Sequence, residues 1–311
     1  MREKRNFAER TKTLSNNEVR KKYLLVYEGK ETEAIYFDAV NELKQYISIN
    51  PLIELIPVIR SYSEDGWSNP KKILDRMIRN IEELKSGVVF YETLLNWIME
   101  YLQDDGPLIN NRLLSRSYWC MLRQICEEKL RVSLDDKIDN PEVACQKIFD
   151  ILQEEMKLEN VVTDIPRILN NSALTYSEEI DKICLIVDRD KDSFSTDQYD
   201  YVFEQCKMKK FGLYVTNPNF EFWLLMHFDD VTELDQDLLL DNPKVTAERR
   251  YCENELRKRI PRYKKSKYNA MELVKNIEKA IQNESQYCED VEKLKDKIGS
   301  NIGKLIQEMQ R

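Results

Sequence analysis

The distribution of hydrophobic and polar residues predicts alternating strands and helices at the two ends of the chain. Continuous apolar runs, typical of strands buried on both faces of a parallel sheet, occur at 23–27 and 183–187, and further strand candidates are 52–59, which is interrupted by Glu54, and 211–215. Apolar residues recur every three or four positions, as in amphipathic helices, at 30–46, 70–84, 198–209 and 219–228. The order strand, helix, strand, helix predicts an α/β fold. Pro57 lacks a backbone N–H, so either the second strand lies at a sheet edge or Pro57 marks its end.

The α/β pattern is interrupted by about ninety residues in which apolar positions keep helical spacing throughout. We therefore predict five regions: a basic N-terminal arm at 1–22, two halves of an α/β core at 23–87 and 179–230, a helical insertion at 88–178, and a helical C-terminal region at 231–311. The insertion contains Trp97, Tyr118 and Trp119. These aromatic residues line either a partner surface or the insertion's own core, and the second interpretation needs no partner.

The composition narrows the class of protein. Of the 311 residues 42% are apolar, and only 7 are glycine and 9 proline, which predicts a folded chain with few flexible linkers. Seven scattered cysteines without a C-x-x-C pair favour reduced thiols over disulfides or a zinc site. The single histidine, His227, excludes chemistry built on paired histidines and is expected to be structural. No apolar run reaches the roughly 18 residues of a membrane span, so we expect a cytoplasmic protein without membrane contact.

Positive charge is concentrated in one segment of an acidic chain. The net charge is −8, yet residues 244–267 contain ten Lys or Arg against three Glu, a local balance of +7 that leaves −15 on the remainder. Tyr251, Tyr263 and Tyr268 interleave with these cations. The segment is either a nucleic-acid surface whose tyrosines stack on unpaired bases or a solvated helix face with snorkelling side chains.

Acidic residues stand at the ends of two predicted strands. Glu28 follows the first strand, and Asp188, Asp190 and Asp192 follow the third directly. Side chains at i and i+2 point to the same side of an extended chain, so Asp188 and Asp190 could face one cation together. The alternative is a solvated strand end whose acids cap the next helix.

In an open parallel sheet, sites form at the carboxyl ends of neighbouring strands. If the first and third strands are neighbours, Glu28 converges with Asp188 and Asp190 on one edge. Magnesium prefers such oxygen ligands, often only one or two carboxylates. The chain has no Walker-type glycine loop, so the arrangement predicts metal-assisted phosphoryl transfer rather than a nucleotide-cradling site.

Several motifs carry a resemblance to known families. VYEGKETEAIYF at 26–37 and IVDRDKDSF at 186–194 resemble the TOPRIM domain of topoisomerases, primases and related nucleases. TNPNFEFWLLMHF at 216–228, YKKSKY at 263–268 and SNIGKLI at 300–306 are similar to the RloB-like family, found beside ATPase partners in bacterial anti-phage defence loci. The resemblance implies a TOPRIM-like parallel-sheet α/β core with a helical insertion and a helical C-terminal region.

The resemblance also implies roles for individual residues. Glu28 takes the place of the TOPRIM glutamate, as general acid/base or metal ligand, and Asp188 and Asp190 that of its metal-binding pair, with Mg²⁺ or Mn²⁺ as cofactor. Asp192 is a further metal candidate, and Glu221 is either a ligand of a second ion or a structural acid at a helix N-terminus. The expected phosphate-binding residues are Arg249, Arg250, Arg259, Arg262, Lys264, Lys265 and Lys267.

These features together predict a toxic effector nuclease of an abortive-infection system, cleaving DNA or RNA, with tRNA among the candidates. An ATPase partner controls it in this interpretation, and a homodimer is a further expectation. One alternative is a catalytically silent regulatory or nucleic-acid-binding subunit with the same fold. Another is a primase-like nucleotidyl transferase or nucleotide hydrolase, which would need a nucleotide pocket.

Overall fold

The structure is a computed structural model that describes residues 20–29, 31–57, 69–86, 88–104, 112–156, 165, 177–247 and 249–311. The chain divides into two compact units. Of the described residues, the sheet unit contains those up to 57, those at 69–74 and those from 177 onward, and the helical unit contains those between 75 and 165. Most of the predicted basic arm, residues 1–19, lies outside the described residues. The five regions predicted from the sequence are not tested by this division and stay a prediction.

The described elements alternate as the sequence pattern predicts for the sheet unit. The strands are β1 (Lys21–Tyr27), β2 (Ile53–Pro57), β3 (Val89–Phe90), β4 (Lys137–Ile138), β5 (Lys182–Asp188), β6 (Gly212–Asn217) and β7 (Gly299–Ser300). The helices are α1 (Thr32–Glu42), α2 (Pro70–Ser86), α3 (Tyr91–Asp104), α4 (Arg112–Gln124), α5 (Pro141–Met156), α6 (Thr196–Lys209), α7 (Phe220–Leu225), α8 (Gln236–Asp241), α9 (Tyr251–Arg259), α10 (Ala270–Val274), α11 (Ile277–Glu284) and α12 (Ile302–Gln310).

The sheet unit is built on a five-stranded sheet in the order β2-β1-β5-β6-β7. The first four strands are parallel, and the short β7 runs antiparallel to β6. Buried apolar side chains fill β1, β5 and β6, as continuous apolar runs require. Strand β2 lies at the edge, where Pro57 ends it without costing the sheet an interior hydrogen bond. The predicted α/β fold class is confirmed.

Two helix boundaries differ from the spacing-based predictions. Helix α1 ends at Glu42 and continues as turns, so the predicted helix at 30–46 is too long. Helix α7 ends at Leu225 rather than Phe228 because its last amides bond to carbonyls three residues back, as in the His227 N–H to Leu224 O bond of 3.3 Å. A capping box begins α6, in which the Ser195 hydroxyl accepts from the Gln198 amide.

The helical unit has a core of its own. Tyr118 and Trp119 are buried there and Trp97 packs against them, as expected if these aromatic residues form a core rather than a partner surface. A six-residue π-helix, Ile125–Leu130, continues α4. Strands β3 and β4 pair antiparallel, so the prediction of helix alone from residue 88 onward is wrong there. Two-residue strands are too short to leave a period-2 pattern in the sequence.

Neither unit shows a membrane-spanning element within the described residues, since none of the helices there combines the necessary length and hydrophobicity. All seven cysteines carry free thiols. Their scatter along the chain predicted this.

His227 is a structural residue of the sheet unit, as predicted. Its side chain is buried, with Nδ1 3.1 Å from the Trp223 carbonyl oxygen and Nε2 3.0 Å from the Tyr36 hydroxyl. A carbonyl oxygen only accepts, so Nδ1 carries the proton and Nε2 accepts from Tyr36. Burial lowers the pKa of His227 to about 4, because charging the ring would place an unpaired cation in the core.

This lowered pKa predicts acid sensitivity. An unfolded histidine titrates near pH 6.5. Between about pH 6.5 and 4, His227 is therefore protonated in the unfolded chain and neutral in the folded chain. Stability is fully present above this window and falls by up to about 1.4 kcal/mol per pH unit within it. Urea unfolding from pH 4 to 8 measures the slope for the wild type and for His227→Gln, whose neutral amide does not titrate. Identical slopes would contradict this assignment.

Candidate active site

The site is built where two central strands end. Strands β1 and β5 are parallel neighbours with Tyr27 beside Ile186, which is the adjacency that convergence of their terminal acids requires. The Glu28 amide donates to the Ile186 carbonyl oxygen (3.0 Å), and the Asp188 amide donates to Glu28 Oε2 (2.9 Å). Glu28 is only 9% exposed. The hydrogen bond from the Asp188 amide therefore holds the Glu28 carboxylate beside the backbone of Asp188.

A third carboxylate, Glu33, reaches the same place from the first turn of α1. Its Oε1 accepts from the Gly29 amide (2.8 Å), and its side chain is buried. A methyl group at Gly29 would collide with this carboxylate and push it out of its present position. The sequence interpretation missed Glu33 as a site residue. Its only signal was its place in EG-x-x-TE, across a glycine turn from Glu28.

The fourth carboxylate, Glu221, stands in the first turn of α7, which follows β6. Its side chain is only 2% exposed and lies 2.7 Å from Lys265 Nζ. Strand β6 pairs with β5, so this helix begins at the same sheet edge as Asp188. We call Glu28, Glu33, Asp188 and Glu221 the acid cluster.

The carboxylates of the acid cluster lie close enough to act on one another electrostatically. Burial raises the pKa of Asp188 well above its usual value, and the carboxylates of Glu28, Glu33 and Glu221 raise it further. Burial likewise raises the pKa of Glu33, and Glu221 adds to this effect. Lys265 acts in the opposite direction on both groups. Such mutually raised pKa values are typical of functional sites.

Asp190 and Asp192 lie in the turn beyond the strand. Strand β5 ends at Asp188, so the alternation that placed Asp190 beside Asp188 does not extend to it. Asp190 Oδ1 accepts from the Asp192 amide (3.0 Å), and the Asp190 carbonyl accepts from the Phe194 amide (2.8 Å). The exposed Asp192 carboxylate lies 3.1 Å from an Arg250 nitrogen. The joint role of Asp188 and Asp190 stays a prediction.

The turn is held by a residue that the sequence interpretation passed over. Arg189 is buried, and its Nε donates to the Lys295 carbonyl oxygen (2.9 Å). Its guanidinium group lies 5.6 Å from the Tyr199 ring and 5.9 Å from the Phe194 ring. These contacts fix the loop that follows Asp188.

The basic segment is only partly available to a polyanion. Four of the seven predicted phosphate-binding residues form ion pairs with acids of the sheet unit, namely Arg249, Arg250, Arg259 and Lys265. The other three lie exposed around one turn, namely Arg262, Lys264 and Lys267.

The tyrosines of this segment serve packing. Tyr263 is fully buried, so the idea that it stacks on bases is wrong. Its ring packs 5.4 Å from that of Tyr268, and Tyr251 and Tyr268 also pack against the core of the sheet unit. Aromatic residues beside cations are equally common in both settings, so the sequence left the question open.

The donors at this site are carboxylates, and Glu28, Glu33 and Glu221 all act electrostatically on the buried Asp188 carboxyl. Mg²⁺ and Mn²⁺ are bound by such ligands. Within the described ranges no three His, Cys, Asp or Glu side chains form a group that could hold a metal ion as they stand. Glu28 and Asp188 are the first candidates to hold an ion, with Glu33 or Glu221 beside them.

Comparison with known proteins points to one family. A family model described as RloB-like protein matches residues 23–309. Comparisons with curated proteins and with solved structures returned no match. The matched span contains the acid cluster and Lys265.

Proposed function

The chain belongs to the RloB-like family, and we propose that it is a metal-dependent nuclease whose active site is the acid cluster. The observation that supports this most is the placement of Glu28 against the amide of Asp188, with Glu33 and Glu221 charging the same space. Mutually repelling, largely buried carboxylates cost stability. A scaffold gains nothing from them, whereas a metal site does.

The protein's own residues have distinct tasks in this proposal. Glu28 and Asp188 would hold Mg²⁺ or Mn²⁺ at the carboxyl edge of the sheet, supported by Glu33 or Glu221. A bound ion of this kind stabilises charge on a phosphate and makes its bound water more acidic. The Asp188 amide orients the Glu28 carboxylate, which serves as general acid/base or as ligand. The Gly29 amide orients Glu33 in the same way.

The substrate and setting follow from the family resemblance and from the exposed cations. Lys264 and Lys267 lie one residue before and two after Lys265, which contacts the acid cluster, so they are placed to hold a phosphate backbone near the acids. We propose DNA or RNA as substrate, with tRNA a candidate, and a role as the toxic effector of an abortive-infection defence. Control by an ATPase partner, a homodimeric state and a cytoplasmic location belong to the same proposal.

The deciding experiment offers the purified chain plasmid DNA, single-stranded DNA and total tRNA, each with Mg²⁺, Mn²⁺ or EDTA. We expect cutting of at least one substrate that EDTA abolishes. Metal-independent cutting would overturn the proposed chemistry. Absence of cleavage on every substrate, also after addition of a candidate ATPase partner, would favour the alternative of a catalytically silent regulatory or nucleic-acid-binding subunit.

The exposed cations support a separate prediction about binding. Lys264→Gln combined with Lys267→Gln should weaken nucleic-acid binding and flatten its salt dependence, because each lost phosphate contact removes up to about one unit of slope in log K against log salt. Fluorescence anisotropy with labelled oligonucleotides measures this slope between about 50 and about 300 mM salt. Lys275→Gln is the control, since Lys275 pairs with Glu272 elsewhere. An unaltered slope in the double variant would show that the turn faces no phosphate.

A further inference from the structure

The ion pair between Lys265 and Glu221 joins two very unequal partners. The Glu221 side chain is 2% exposed, whereas that of Lys265 is 56% exposed, and the charged atoms lie 2.7 Å apart. A buried carboxylate without a cation is costly. A half-solvated lysine, by contrast, can leave its partner and regain water at little cost. The pair therefore matters to Glu221 and is easily given up by Lys265.

The backbone beneath Lys265 is held by contacts that do not involve its ammonium group. The Lys265 carbonyl oxygen accepts from the Thr32 hydroxyl (3.4 Å), and the Tyr268 hydroxyl donates to the Thr32 carbonyl oxygen (2.7 Å). The amides of Lys264 and Lys267 each donate to the other's carbonyl oxygen. The turn is thus fastened to the start of α1. The side chain can swing without the turn moving.

Lys265 also acts on the rest of the acid cluster. It opposes the raised pKa of Asp188 and of Glu33, and Glu221 and Asp188 in turn stabilise its charged form. A divalent ion held by the same carboxylates would bring two charges to the place where Lys265 supplies one. Two cations competing for one set of carboxylates repel each other strongly at short range.

We propose that Lys265 is an internal counter-ion of the acid cluster, which holds Glu221 in the metal-free protein and is displaced when a divalent cation binds. The displaced ammonium group is then free to contact a phosphate of the substrate at the same edge. Metal binding and phosphate binding are coupled by this exchange. The inference rests on the proposed function for the existence of the metal site, and it adds how that site is kept neutral and how it is loaded.

The test measures metal affinity rather than activity. Isothermal titration of the full chain with Mn²⁺ and with Mg²⁺ compares the wild type with Lys265→Met, which keeps most of the side-chain length and removes the charge. We expect the variant to bind the ion about tenfold more tightly, within the usual range of coupling between competing ligands. Lys275→Met removes one charge from an exposed ion pair in the same unit and is expected to bind as the wild type does.

A second readout uses thermal unfolding. Lys265→Met should melt at a lower temperature than the wild type in EDTA, since Glu221 loses its partner, and should gain more from added metal. Lys265→Gln, which retains a hydrogen-bond donor without charge, is the substitute should the methionine variant fail to fold, and the same direction is expected of it.

The outcomes separate this inference from the proposed function. Equal or weaker metal affinity in both Lys265 variants, with a wild type that binds metal, overturns the counter-ion and leaves the nuclease proposal standing. Binding by the variants but not by the wild type supports the counter-ion in its strongest form. Absence of metal binding in every protein overturns both.

Discussion

Glu28→Gln is expected to abolish metal-dependent cleavage while leaving the fold intact. Glutamine has the same size and its carbonyl oxygen can still accept from the Asp188 amide, so the hydrogen bond of 2.9 Å is kept. What is lost is the negative charge, which a metal ligand or a general base needs. The expected loss in kcat is about 10²- to 10⁴-fold, the range for removal of a general acid or base.

The measurement is single-turnover cleavage of whichever nucleic acid the wild type cuts, beside circular dichroism and thermal melting of both proteins. Glu272→Gln is the matched control, since Glu272 is an exposed acid of the same unit that pairs with Lys275. Full activity in Glu28→Gln would remove this glutamate from the mechanism. Lost activity in the control would show instead that overall charge governs the assay.

The sequence predicted where the strands end better than it predicted which strands are neighbours in the sheet. Glu28 and Asp188 could be placed at strand ends because buried parallel strands are continuous apolar runs that stop at charge. Whether those strands touch depends on pairing across the insertion between them, and no local pattern encodes that pairing. The structure supplies it through the Tyr27 and Ile186 register.

Glu33 and Asp190 show what local sequence patterns leave undecided about site residues. Glu33 looks like any first-turn glutamate of an amphipathic helix, and only its bond to Gly29 reveals that it turns back toward the strand end. Asp190 follows the i, i+2 rule for a ligand pair, but an aspartate can bond to an amide two residues on and bend its own chain. The bond to the Asp192 amide is of this kind. The i, i+2 spacing of aspartates is therefore compatible both with a pair of metal ligands and with a hydrogen-bonded turn.

Charge counting has a similar limit in the basic segment. Arg259 contributes to the local excess in the sequence, but its guanidinium group lies 2.6 Å from Asp230 and 3.0 Å from Glu255. Both acids are close in the fold, and Asp230 lies outside the segment that was counted. Net charge over a window overestimates the surface available to phosphates whenever ion pairs cross the window's boundary.

Asp188→Asn is expected to lose metal affinity and cleavage and yet to make the metal-free protein more stable. Asparagine is nearly isosteric, and its neutral amide removes the repulsion from Glu28, Glu33 and Glu221 that raises the pKa of the acid. Removal of such strain at a functional site commonly gives about 0.5 to 2 kcal/mol. Metal affinity should fall by at least about tenfold, as for lost support of a metal ligand.

The pH dependence gives the sign of this effect. The pKa of Asp188 is raised in the folded protein, so its contribution to stability is fully present below the unfolded value of about 3.9 and is lost as pH rises through the folded value. The gain in stability from Asp188→Asn should therefore be absent near about pH 3.5 and complete once the folded Asp188 carboxyl is ionised.

Urea unfolding in EDTA at several pH values, with calorimetric titration of Mn²⁺, tests both halves of the prediction. Asp190→Asn is the control two residues away, since asparagine can still accept from the Asp192 amide and no stabilisation is expected. Increased stability together with lost metal binding would show that the acid cluster destabilises the metal-free protein and serves metal binding. Decreased stability in Asp188→Asn would mean that the carboxylate serves the fold, and the active-site assignment would then have to move away from this sheet edge.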